Sequence, residues 1–181
     1  GTVLVAAVAA PLVASPYVLR VLIMTLYGAY LAQCWNLVGG YAGQFSFGHA
    51  TFFGIGAYTT ALLFARGGLT PWLGMLVGAA LAAGAGGVIG ALSFRYGLRG
   101  PYFGLVTLAF AEVCRIVVTN WRALGGAMGV LVPLRPSLAT FQFPEPWAYY
   151  YVILAMTAGL TAAAVALERS RLGLFMEAVR E

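Results

Sequence analysis

Apolar residues run in long stretches along this chain, at about 2–14, 17–38, 45–65, 71–94, 101–121 and 147–167, with short polar or Gly- and Pro-bearing breaks between them. Most of these runs are about twenty residues long, the length a helix needs to cross a hydrocarbon layer roughly 30 Å thick. Strand is disfavoured throughout. A spanning segment must satisfy its backbone polar groups internally, and the roughly ten-residue apolar/polar alternation of a transmembrane barrel is missing. The pattern predicts an all-α, polytopic transmembrane bundle of about six spanning helices, a single domain over 1–181 with no linker or internal repeat.

The first run is short and contains Pro11. It reads as a truncated helix rather than the apolar part of a cleaved signal peptide, since Gly1 to Ala10 carry no charge. A chain that begins at Gly1 without a methionine and stops at Glu181 inside a helix-like pattern reads as a fragment, truncated at its C-terminus. Arginine placement gives the orientation. Arg95, Arg99, Arg169, Arg171 and Arg180 fall on one side and Arg20, Arg66, Arg122 and Arg135 on the other, with the densest group in the tail, which places the tail in the cytoplasm. The loop of about 122–146 then faces outward. Pro133, Pro136, Pro144, Pro146, Gly125, Gly126 and Gly129 predict irregular chain or short helical pieces there.

Within the fourth run, Gly74, Gly78, Ala82, Gly86 and Gly90 recur every four residues along one face. Apolar burial draws helices together only weakly in lipid, so small side chains that let backbones approach supply the association. The stripe reads as a helix-packing seam in preference to a solute-lining face.

Composition agrees with the hydropathy: 62% of residues are hydrophobic and 8% charged, against about a quarter charged in an ordinary soluble domain. All ten basic residues are arginine, so the net charge of +5 rests on groups that stay protonated. They sit at the ends of apolar runs, which suits membrane-edge anchoring and not a phosphate-binding stripe, and excludes nucleic acid as the expected partner. Without lysine no P-loop can be built, so any ATP used must be hydrolysed by another chain. Cys34 and Cys114 lie inside apolar runs without CxxC neighbours and read as small buried hydrophobes, so no metal site and no cofactor is expected.

The stretch NLVGGYAGQFSFGHATFFGIGAY, from Asn36 to Tyr58, sets Asn36, Gln44, Ser46 and His49 among Gly39, Gly40, Gly43 and Gly48, between two apolar segments. Two readings stand. Near 39–48 a helix can be interrupted and aim its end at a zwitterionic solute, or a tight cytoplasmic turn can lead into a helix N-capped by Ser46. His49 is the one histidine and reads as a hydrogen-bonded structural group. Ser46 and His49, three residues apart with no acid to orient the imidazole, make poor hydrolase geometry. The fifth run places Glu112 near mid-depth and Arg115 on the same face. A charge there is costly and calls for pairing and an inward orientation. Glu112 can serve gating or ammonium recognition, or the two can form an ion pair that pins neighbouring helices. Thr107 and Asn120 are candidates of the same kind. The tail sets Leu172, Phe175, Met176 and Val179 on one stripe, an amphipathic helix that either lies in the interface or leads into a docking surface.

Taken in order, GYAGQFSFGHATFFGIGAYTTALL, LRGPYFGLVTLAFAEVCRIVVTNW, LGGAMGV and SRLGLFMEAVRE resemble the permease subunits of branched-chain amino-acid ABC importers, of the LivM type. The resemblance covers nearly the whole chain from Trp35 onward. Leu124 and Ala127 depart from the family's usual Thr-Gly-Gly-Pro pattern in the outer loop. The resemblance implies a bacterial inner-membrane translocation subunit that works with a homologous permease, two cytoplasmic ATPase subunits and a periplasmic solute-binding protein. It implies that residues 168–181 begin a cytoplasmic coupling region, with Glu177, Arg180 and Glu181 on the approach to the ATPase. Permeases of the same superfamily for urea, short amides or monosaccharides, and an ion-coupled carrier using Glu112, are the alternatives.

Overall fold

The computed structural model describes residues 7–11, 14–41, 43–44, 46–98, 100–171 and 173. Glu177, Arg180 and Glu181, with the rest of the proposed coupling segment after Gly173, lie outside the described residues. Five long helices organise the rest: α1 (Pro16–Asn36), α2 (His49–Gly67), α3 (Pro71–Arg95), α4 (Pro101–Asn120) and α5 (Pro146–Glu168). No named strand occurs among the described residues, and the chain is a polytopic helical bundle.

Four of these helices are long and apolar enough to cross a membrane, where six were expected: Pro16–Gly40, Pro71–Arg95, Pro101–Asn120 and Pro146–Glu168. Each of the four opens on a proline at the first helical position, where the missing N–H would have had no intrahelical partner and the fixed φ is already helical. Of the first apolar run, the described structure has residues 7–11, which are helical, and residue 14, which is not. The remaining helix, α2, is long enough but less apolar, because His49 and Arg66 bracket it and Thr51, Tyr58, Thr59 and Thr60 interrupt it. Two of those hydroxyls are satisfied within the helix: Thr59 Oγ1 donates to the Ile55 carbonyl at 2.7 Å and Thr60 Oγ1 to the Gly56 carbonyl at 2.8 Å.

The described residues form two compact units, residues 1–43 with 143–181, and residues 44–142. In the first, α1 packs against α5. Ser15 caps α1 by accepting from the Val18 N–H at 3.4 Å. Tyr150, 2% exposed, donates its hydroxyl to the Ala7 carbonyl at 2.7 Å, and the Tyr151 hydroxyl donates to Val8 at 3.1 Å. The last turn of α1 widens into a π-helical turn, Leu37–Tyr41. A Cβ on Gly40 there would fall well inside contact distance of the Asn36 carboxamide oxygen.

In the second unit α2 and α3 run antiparallel in close contact. The glycine face of α3 supplies the reason. A Cβ on Gly74 would stand 3.1 Å from Thr60 Cα, one on Gly78 would stand 2.8 Å from the Gly56 carbonyl oxygen, and Gly86 faces the Phe52 ring at 3.6 Å. Gly74 and Gly78 are buried, Ala82 is half-buried farther along, and Gly90 meets only the Phe94 ring of its own helix. The less apolar α2 therefore lies along a helix that offers it backbone-to-backbone contact. At the other end of α2, Gly68 takes φ 64° and the Leu69 N–H closes on the Leu63 carbonyl at 3.2 Å, the left-handed stop that suits glycine.

Between α4 and α5 the chain makes three short 3-10 turns, Arg122–Leu124, Gly126–Met128 and Leu138–Thr140. Gln142 holds the second half of this segment: Oε1 accepts from the Arg135 N–H at 2.6 Å, Nε2 donates to the Pro133 carbonyl at 2.9 Å, and its backbone pairs with Ser137. Trp72 fastens it to the start of α3, donating Nε1–H to the Leu138 carbonyl at 2.9 Å and meeting the Phe141 ring edge-on at 4.9 Å.

Candidate functional site

The polar residues of the 44–49 stretch enter α2 from a non-helical segment, and one contact fixes that entry. Thr107, 2% exposed on α4, accepts from the Phe47 N–H at 3.1 Å and donates to the Gly104 carbonyl at 2.8 Å. Gly48 packs directly on it, since an added Cβ would stand 2.5 Å from the Thr107 carbonyl oxygen. The α2 N-cap is Gly48, with no side-chain cap, so Ser46 does not fill that place. Ser46 is instead buried at 6% exposure two residues ahead of the cap. His49 occupies the first helical position, half-buried. Gln44 Oε1 is buried with no hydrogen-bond partner among the described residues. The hydroxyl of Thr107 is used by the fold, and its burial leaves no face for a solute.

Glu112 and Arg115 form the one ion pair among the described residues. Arg115 Nε donates to Glu112 Oε2 at 2.8 Å and Nη2 to Oε1 at 2.5 Å, a two-pronged pair. Both groups stand on α4, so the pair closes within one helix and ties no second helix to it. Their side chains are 53% and 65% exposed. They open onto a groove of about 560 Å³ between α2 and α4. Ile55, Leu62, Leu108 and Val118 make its walls apolar, and Thr51, Tyr58 and Thr119 add polar edges. Cys114 faces the same groove, half-buried, in place of the buried position expected for it. Asn120, at the end of α4, spends its amide on the Ile116 carbonyl at 2.8 Å. Asn36 belongs to the other unit, at the π-helical turn.

Residues 17–181 match the family described as branched-chain amino acid transport system / permease component. The chain belongs to that family. Two relatives of the permease are high-affinity branched-chain amino acid transport system permease proteins LivM, from Escherichia coli (strain K12) and Salmonella typhimurium (strain LT2). Each is 36% identical over 141 residues, which is 77% of this chain and 33% of the relative. The chain thus spans about a third of the length of the curated relatives it matches. No solved structure matches it. Family and apolar helices together fit a multi-pass protein of the bacterial inner membrane, and the relatives are transport components, not enzymes.

The groove residues of this permease that sequence reasoning passed over include Thr51, Ile55, Tyr58 and Leu62 on α2 and Leu108, Val118 and Thr119 on α4. The signal was present as a helical spacing of three and four, 51, 54, 55, 58, 62 on one helix and 108, 111, 112, 115, 118, 119 on the other. Attention to charged groups alone finds only the second helix, and hydropathy cannot say that the two faces meet.

Proposed function

We propose that this chain is part of the translocation subunit of an ATP-binding-cassette importer for branched-chain amino acids in the bacterial inner membrane, one transmembrane permease domain whose tail is cytoplasmic. The solute moves along the α2/α4 groove, past Glu112 and Arg115, with Gln44, Ser46 and His49 near the cytoplasmic mouth. ATP is hydrolysed on two separate cytoplasmic subunits. A homologous permease and a periplasmic solute-binding protein complete the assembly, and Glu177, Arg180 and Glu181 lead toward the ATPase contact.

The observation that carries this reading is a charged pair kept on the wall of a groove inside an apolar helix of a permease-family chain. Isolated charge at that depth is costly, and in membrane proteins it is retained mainly where a pathway needs it. The test is uptake of radiolabelled leucine into membrane vesicles. It should require ATP, disappear when the full-length permease is deleted, and continue when the proton gradient is collapsed with ATP maintained. Uptake that stops with the gradient would replace this reading by a proton-coupled carrier working through Glu112.

A further inference from the structure

The geometry points to a recognition site for an intact aliphatic amino-acid zwitterion at the Glu112–Arg115 pair. The ligand's ammonium group meets the Glu112 carboxylate, its carboxylate meets the Arg115 guanidinium, and its side chain lies on the apolar wall of the groove. The inference rests on the groove being the solute route and adds what that route recognises.

Two observations carry it. First, the pair is complete within one helix: it neutralises itself through two hydrogen bonds, makes no other side-chain hydrogen bond among the described residues, and joins α4 to nothing else. A packing role would place one partner on a neighbouring helix. Second, the pair stands open on a groove whose remaining surface is that of a small aliphatic site. Ile55, Leu62, Leu108 and Val118 supply apolar area, and the volume of about 560 Å³ falls in the range of small-molecule pockets, about 300–1,000 Å³.

Electrostatics then selects the ligand class. A zwitterion brings one charge of each sign to a pair that offers one of each, so binding exchanges one compensated arrangement for another and leaves no charge unpaired. An amine or a carboxylate alone of the same shape engages one side and leaves the other without its partner, so it forgoes one charge-assisted interaction that the zwitterion keeps. Arg115 suits a carboxylate because its planar fork can present two N–H groups. Glu112 suits an ammonium because its two oxygens are held facing the groove by the same pair.

The experiment uses the full-length permease within its complete membrane complex in lipid nanodiscs, without the solute-binding protein, and measures equilibrium binding of leucine, isocaproate and isoamylamine. The last two are leucine without its ammonium and without its carboxylate. The wild type should bind leucine at least about tenfold more tightly than either, the scale of one charge-assisted hydrogen bond. Glu112→Gln should abolish the preference for leucine over isocaproate, and isocaproate should bind at least as tightly as on the wild type because its carboxylate no longer competes with Glu112 for Arg115. Arg115→Gln should do the same relative to isoamylamine. A Glu112→Gln variant that weakens leucine and isocaproate equally, or a wild type that binds all three alike, overturns the site. So does a wild type that transports leucine with ATP yet binds none of the three, and in that case the route still stands. A complete transporter that shows no ATP-driven leucine uptake overturns the route itself. The double variant Glu112→Gln/Arg115→Gln strands no charge and guards against misfolded single variants. It should bind the three ligands alike, and a double variant that keeps the wild-type preference overturns the proposal.

Discussion

Replacing Gly78 by alanine tests the contact that sets the spacing of α2 and α3. The new methyl would stand 2.8 Å from the Gly56 carbonyl oxygen and 3.0 Å from its Cα, both backbone atoms, where ordinary van der Waals contact begins near 3.4 Å. Neither atom can swing aside, so the helices must part by about half an ångström at that level. The loss then spreads to Gly74 against Thr60 and Gly86 against Phe52. Overpacking of a tight interior costs about 1–3 kcal/mol, and the better helix propensity of alanine returns up to about 1 kcal/mol, leaving a net loss of up to about 2 kcal/mol. Gly84 is the control. It stands on the same helix with nothing within 4 Å of an added Cβ, so Gly84→Ala keeps the propensity gain without the clash and should be neutral or slightly stabilising. The assay is denaturant unfolding of the full-length permease in mixed micelles, followed by tryptophan emission. Equal stabilities for the two variants would refute the argument that backbone contact at Gly78 holds the pair together.

Three further outcomes follow from the same geometry. Thr107→Val keeps the shape but removes the acceptor of the Phe47 N–H, so it should lose about 1–3 kcal/mol for a buried unpaired donor while Thr107→Ser loses less; the same unfolding assay compares them. Gly48→Ala drives a methyl to 2.5 Å from the Thr107 carbonyl and should destabilise by at least about 2 kcal/mol, with protease sensitivity appearing first in the 44–49 segment. Gln142→Ala removes both side-chain bonds that brace the loop to Arg135 and Pro133, so amide exchange in 133–142 should quicken by roughly tenfold per 1.4 kcal/mol lost while α5 exchanges as before.

Much of this protein is readable without coordinates because its solvent is a bilayer. In lipid every backbone polar group must be paired locally, so an apolar run of the right length can only be a helix, and α3, α4 and α5 end within a residue or so of the expected boundaries. The proline openings of the membrane-crossing helices obey an equally local rule. The span count was less secure, since α2 carries polar residues that hydropathy penalises and only its packing on the glycine face of α3 explains.

What the tertiary structure decided is which polar groups meet. Spacing along the chain placed Glu112 and Arg115 on one face, but not whether that face would meet another helix, lipid or a groove. It could not show that Thr107, sixty residues from Phe47, is consumed by the entry to α2. Such contacts depend on where helices cross, and small side chains at the crossing determine that without any period in the polar pattern. Residue order therefore specified the helices and their family, while the packing of α2 between α3 and α4 set the Glu112–Arg115 ion pair on the wall of a groove.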